Sequence, residues 1–265
     1  MVGPMIKILF FGDIVGRPGR TAVKRFLEEK KDEIRPDLVI ADADNLASGR
    51  GPTADKCREM LDAGVDVLTC GDHIWDQKEA FEVLSKGNSQ LLRPHNYPKA
   101  CPGKGWKELK VKGQDVLVAN FIGRIWTVEG LDSPFTIVDE LLEGRKEKII
   151  IVDFHAEATS EQQAFGRYLD GRVSAVLGTH THVQTADEEI LPGGTAYISD
   201  VGFCGPHDSV IGIKPESSIK RFKTALPLEF ELAEGPSHIN AVVVEVDERT
   251  GHALKIERIS ELYSA

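Results

Sequence analysis

The chain has 265 residues, 41% hydrophobic and 28% charged, with 32 Lys plus Arg against 42 Asp plus Glu and a formal charge of −10. That length suits one α/β domain, and residues 1–265 are read as a single one. The acidic balance argues against long nucleic acid or an anionic membrane as partner, since both would repel it, but leaves a small anionic substrate open wherever cations cluster locally.

In chain order, Lys7–Phe11 reads as a buried strand, its apolar run ended by Asp13 and too short for a signal sequence or a membrane span. Arg20–Glu33 follows as a helix, then strand Leu38–Ala41, helix Ala54–Ala63, strand Val65–Thr69 and helix Lys78–Leu84. This alternation predicts a mostly parallel sheet covered by helices. Trp106–Val111 and Val116–Phe121 flank a turn-like Lys112-Gly113-Gln114 and read as a hairpin. Ile149–Val152 is a strand, Glu161–Tyr168 a helix and Ser174–Leu177 a strand. The last third is strand-rich, with Thr195–Ser199, Leu228–Leu232, Ile239–Val246 and Ala253–Ile259. The picture is α/β: two packed mixed β-sheets flanked by helices. Cys57, Cys70, Cys101 and Cys204 form no CxxC pair, and reduced thiols in a cytoplasmic protein are expected.

Ligands in open α/β sheets bind beyond the carboxyl ends of the strands, and there polar blocks recur five times. Asp13 follows the first strand; the glycines at 12, 16 and 19 do not make a dinucleotide-binding GxGxxG. Asp42, Asp44 and Asn45 follow the second, with Asp42 and Asp44 on one face if the segment stays extended. Gly71-Asp72-His73 follows the third, with Asp76 placed to orient the His73 ring or to cap a helix. Asp153-Phe154-His155 follows the fourth. His180-Thr181-His182 follows the fifth, and an i, i+2 pair leaving a strand directs two imidazoles the same way, which suits a pair of cations. Alone, the Asp13, Asp42–Asn45 and His155 blocks read as a cap, a polar loop and a hydrogen-bonded structural histidine, the Gly71-Asp72-His73 block is more specific, and HxH after an apolar strand is a metal signal by itself. Together they are a metal centre, because four of the eight histidines fall at these strand ends. Mixed carboxylate, amide and imidazole donors favour Fe²⁺ or Mn²⁺, with Zn²⁺ also compatible, over Ca²⁺ or Mg²⁺.

With these blocks the sequence resembles the calcineurin-like metallophosphoesterase superfamily, and within it the YmdB-like branch, over nearly the whole chain. The resemblance rests on FFGDIVGRPGR (10–20), ADNLASGRG (43–51), TCGDHIWD (69–76), DFHAEATSE (153–161), LGTHTHVQTAD (177–187) and ISDVGFCGPHDSVIG (198–212). It implies two divalent metal ions per chain. Asp13, Asn45 and His182 would hold one and Asp72, His155 and His180 the other, with Asp44 bridging and His73 off the metals as general acid. It also implies a phosphodiesterase acting on cyclic or linear nucleotide diesters, 2′,3′-cyclic nucleotides favoured, with a bridging hydroxide as nucleophile. Three positions depart from the pattern: Val15 where the superfamily has a histidine, Asp44 where the branch has Glu, and Asp72 where both have Asn. A phosphomonoesterase and a regulatory protein with a structural metal centre are the alternatives; an amidohydrolase is disfavoured because its HxH comes early rather than late. The expected partner is a small phosphate ester or nucleotide, and a homo-oligomer is compatible with the sequence.

Overall fold

A computed structural model describes residues 4–87 and 89–264. Its first sheet is centred on β1 (Met5–Phe11), which pairs in parallel with β3 (Leu38–Asp42) and antiparallel with β12 (Ser237–Asp247). β3 pairs in parallel with β4 (Val67–Thr69), and β12 forms a hairpin with β13 (Ala253–Tyr263). Two short strands complete the sheet: β2 (Asp13–Ile14) lies parallel to β11 (Phe203–Pro206), which pairs with β12. The second sheet runs β5 (Trp106–Val111), β6 (Gln114–Ile122), β7 (Ile149–His155), β8 (Ala175–Thr179), β10 (Ala196–Ile198) and β9 (Glu189–Ile190). Its central strands β6, β7, β8 and β10 are parallel.

Alternating side chains sort into layers. Ile6, Ile8, Phe10, Leu38 and Ile40 face Val116, Val118, Ile149 and Ile151 between the sheets. The opposite faces carry helices. Leu9, Phe11 and Val39 pack under α1 (Gly16–Ile34) and α2 (Ala54–Asp62). Leu117, Ile150 and Phe154 pack under α4 (Pro134–Leu142) and α5 (Thr159–Tyr168). Two packed mixed sheets flanked by helices are what the sequence pattern predicts. A two-residue turn at Lys112 (φ 49°) and Gly113 (φ 85°) closes the β5–β6 hairpin, and both left-handed residues match a type I′ connection.

Several local expectations fail for physical reasons. α1 begins a turn early, at Gly16, because Pro18 sits in the first helical turn, where an N–H would have no intrahelical partner anyway. The helices α4 and α6 (Pro215–Thr224) were not expected; both start at a proline. Leu228–Leu232 is not a strand: only Leu232 makes a bridge, to Ile213, and the rest is irregular. Asp76 is not the cap of α3 (Lys78–Ser85), which starts after Gln77. All four cysteines are free and three are buried. Among the described residues, no helix is long and apolar enough to cross a membrane.

Candidate metal centre

The parallel strands of both sheets end on the same edge, and register carries their terminal residues together. Asp42 pairs with Thr69 across β3 and β4, and His155 with Thr179 across β7 and β8. Asp13 opens β2, immediately after β1. All seven expected ligand residues and His73 meet in this one region.

One group converges on Asp72, His155 and His180. His155 Nε2 lies 2.9 Å from His180 Nδ1 and 3.2 Å from Asp72 Oδ1, and His180 Nδ1 is 3.4 Å from the same oxygen. Donor atoms around a tetrahedral ion with bonds of about 2.0–2.1 Å stand roughly 3.3 Å apart, so this triangle fits a cation. Gly71 makes room for it: a Cβ there would come within 2.1 Å of the His155 ring. Glu157 closes the outer side, its Oε2 3.0 Å from His180 Nε2.

The second group lies deeper. Asp13 Oδ1 is 3.7 Å from His182 Nε2, which is 3.1 Å from Asn45 Oδ1. The Asn45 amide donates its N–H to Gly49 O at 2.9 Å, which turns the carbonyl oxygen toward His182. His182 Nδ1 bonds Ile211 O at 3.1 Å, which turns Nε2 toward Asn45 Oδ1 and Asp13 Oδ1. The Asp13 Oδ1 and Asp42 Oδ2 atoms are buried without a hydrogen-bond partner. Orphaned buried carboxylate oxygens are costly, and a cation is the partner that such a site accommodates.

Asp42, which the strand-end pattern marks only as sharing a face with Asp44, also belongs to this centre. Its Oδ2 is 3.3 Å from His155 Nδ1, and Asp13, Asp42 and His155 present their donor atoms within 4.8 Å of one another. Its Oδ1 accepts the Asp44 N–H at 2.7 Å. Asp44, past the strand end, turns Oδ1 onto the backbone of the next loop, accepting from Gly71 N at 2.6 Å and His73 N at 3.0 Å. Its Oδ2 stands 3.7 Å from His155 Nε2. One carboxylate oxygen of Asp44 therefore anchors the loop that carries Asp72 and His73.

The histidine pair is placed by a different device from strand alternation. β8 stops at Thr179, and His180 (φ 107°) and His182 (φ 62°) both occupy the left-handed region. Non-glycine residues there are uncommon and strained, and such strain collects at functional sites. The bend sends His180 to the Asp72 group and His182 to the Asp13 group. Gly178 permits the close pass of the neighbouring chain, since a Cβ would lie 1.7 Å from Ser199 O.

Electrostatics follow from burial and crowding. Burial, then the Asp13 carboxylate, push Asp42 well above the ordinary carboxylate range, and burial raises Asp44 too. Burial opposes charge on His155, yet the neighbouring carboxylates of Asp42 and Asp72 hold its pKa well above the usual imidazole value. Burial likewise opposes charge on Asp72, but hydrogen bonds from His155 and His180 keep it far below the normal range. Burial lowers His182. Under the centre, burial lifts Asp153 to about 7 even though Thr179 Oγ1 donates to it at 2.8 Å. His73 stands at the rim, with Nδ1 held 3.0 Å from Asp76 Oδ2.

The likeness to known proteins agrees with this geometry. Residues 9–259 match the family described as YmdB-like protein. The chain is 46% identical to the 2′,3′-cyclic-nucleotide 2′-phosphodiesterase of Bacillus subtilis, across 96% of both chains. A crystal structure of a hypothetical protein from Thermus thermophilus superposes with a TM-score of 0.92 at 42% identity, covering 97% of this chain and all of that one. A Mycoplasma pneumoniae structure described as a novel phosphatase superposes at 0.94 with 36% identity, covering 99% and 95%. The chain belongs to the YmdB-like family of the calcineurin-like metallophosphoesterases.

Proposed function

We propose that the chain is a metal-dependent phosphodiesterase that hydrolyses cyclic or linear nucleotide diesters at a two-cation centre. The observation that carries this reading is the convergence of Asp72, His155 and His180 above buried carboxylate oxygens of Asp13 and Asp42 that have no hydrogen-bond partner. Asp13, Asn45 and His182 would hold one divalent cation and Asp72, His155 and His180 the other. Asp44, whose Oδ2 stands 3.7 Å from His155 Nε2, would bridge the two, with Asp42 close by. Fe²⁺ or Mn²⁺ suits the mixed donor set best. Cations bound there supply Lewis-acid polarisation of the phosphoryl group and a lowered pKa for attacking water.

The chain's own residues do the rest. Asp44 holds the 70–73 loop through its backbone N–H groups and so fixes Asp72 and His73 together. The Asp76 carboxylate orients His73 through Nδ1, and this cleft-lining ring would donate a proton from Nε2 to the leaving alkoxide. A sugar alkoxide is a poor leaving group and needs that proton; a nitrophenolate does not. The diester class follows the likeness to the Bacillus enzyme. The free thiols fit a reducing cytoplasm.

The test compares Mn²⁺-loaded wild type with His73→Ala on adenosine 2′,3′-cyclic phosphate and on bis-nitrophenyl phosphate. The nucleotide reaction should fall about 10²–10⁴-fold, the range for general acid catalysis, with metal content unchanged and the nitrophenyl reaction nearly intact. Equal losses on both substrates would remove His73 from the acid role. No metal-dependent turnover of either by wild type would remove the enzyme reading.

A further inference from the structure

Beyond the metal centre the site opens into a cleft of about 660 Å³ whose walls include His73, His180 and His182 on one side and Ile211, Ile213 and Phe230 on another. The second wall plays no part in holding cations, and its composition is unusual for a surface. Ile211 and Phe230 stand 52% and 41% exposed. Large apolar groups held open to water beside a reactive centre are informative in a way that scattered ones are not.

The wall is built rather than loose. Val210 and Ile213 exchange backbone hydrogen bonds at 2.8 and 3.0 Å, Lys214 N donates to Glu231 O at 2.8 Å, and Ala233 N donates to Gly212 O at 3.0 Å. Ile211 sits at φ 49°, a conformation that a β-branched residue adopts only under constraint. The same residue offers its carbonyl to His182 Nδ1 at 3.1 Å. The wall is thus tied to the metal centre through Ile211. The guanidinium of Arg221 lies over the Phe230 ring, 4.5 Å from its centroid, and holds one face of it.

We propose that this wall is a nucleobase platform: the base of a nucleotide substrate stacks on Phe230, backed by Arg221, with Ile211 against its edge, while the phosphate lies at the metal centre. The proposal rests on the phosphodiesterase reading. A flat aromatic face between aliphatic neighbours suits a planar heterocycle, and Arg50 in the same cleft supplies a cation for the phosphate attached to it. Stacking accepts every base, so the platform gives a preference for nucleotides over other diesters with little choice among bases.

The test uses the full Mn²⁺-loaded chain with two substrates, adenosine 2′,3′-cyclic phosphate and the base-free methyl riboside 2′,3′-cyclic phosphate. Wild type should show a KM about tenfold or more lower for the nucleotide, as one stacked base provides. Phe230→Ala should erase that difference by raising only the nucleotide KM, and Phe230→Tyr should restore it. Equal KM values in wild type, or equal changes on both substrates in Phe230→Ala, would overturn the platform. So would a change in oligomeric state with Phe230→Ala and no change in KM, which would make the wall a protein contact. If wild type turns over neither substrate, the activity reading fails separately. The platform is then judged by calorimetric binding of adenosine 3′-monophosphate, which must weaken about tenfold in Phe230→Ala or the proposal falls.

Discussion

The two halves of the centre are built from the same kinds of residue but to opposite designs. Around Asp72 the donors are two imidazoles and a carboxylate whose side chain is 23% exposed, and they satisfy one another through short contacts. The Asp42 and Asp72 carboxylates drive His155 up, and hydrogen bonds from the two imidazoles drive Asp72 down. Around Asp13 the carboxylates are fully buried, two oxygens lack partners, and burial drives Asp42 up. The first half is closed by contacts between unlike groups; the second crowds two buried carboxylates together beside His155 Nδ1, which lies 3.3 Å from Asp42 Oδ2. The difference teaches that a metal site can be organised either by mutual hydrogen bonding or by unrelieved repulsion, and that perturbation should separate the two.

The largest effect should come from the residue common to both halves. His155 faces Asp72 through Nε2 and Asp42 through Nδ1. His155→Ala should weaken cation binding in the Asp72 half more than about 100-fold, beyond the usual cost of losing an outer-shell partner. Diester hydrolysis should fall with it. Metal titration by calorimetry and steady-state rates check both; retention of two tight cations would show that His155 is only structural.

A smaller and more selective effect is expected at Asp72. Asp72→Asn replaces an anionic donor with a neutral one, so the Asp72-half cation should bind about tenfold or more weakly while the Asp13 half holds. At saturating Mn²⁺ the rising limb of the pH–rate profile should move to lower pH, because a less neutralised cation acidifies water more strongly. Equal weakening of both cations in a titration would erase the contrast between the halves.

The smallest effect should appear without any metal. Asp42→Asn removes one of two crowded buried acids, so the metal-stripped protein should become more stable by about 1 kcal/mol, roughly 2–4 °C in Tm for a chain of this size. The gain in Tm on adding Mn²⁺ should shrink. A metal-free variant less stable than wild type would mean that Asp42 is held by its bonds to Asp44 and His155 rather than strained by Asp13.

Much of the centre was legible in the sequence because two regularities coincide: apolar runs mark strands, and polar residues after them mark a shared sheet edge. Asp13, Asp44, Asn45, Asp72, His155, His180 and His182 all lie in such blocks, and the fold brings them to one place. Asp42 was visible only as the residue sharing a face with Asp44. Its contact with His155 depends on the register between sheets, which no local pattern carries. The separation of His180 from His182 comes from two left-handed residues after β8, and spacing cannot report φ. The cleft wall was least legible. Residues 228–232 have the composition of a strand but make only one bridge, and backbone contacts with 210–214 define their path.

The most direct test of a two-cation centre is anomalous diffraction from crystals soaked in excess Mn²⁺. Two peaks should appear, one against Asp13, Asn45 and His182 and the other against Asp72, His155 and His180, separated by about 3.5–4 Å as in two-metal phosphoesterases. A single peak shared by all six residues would contradict the division of this centre into two halves.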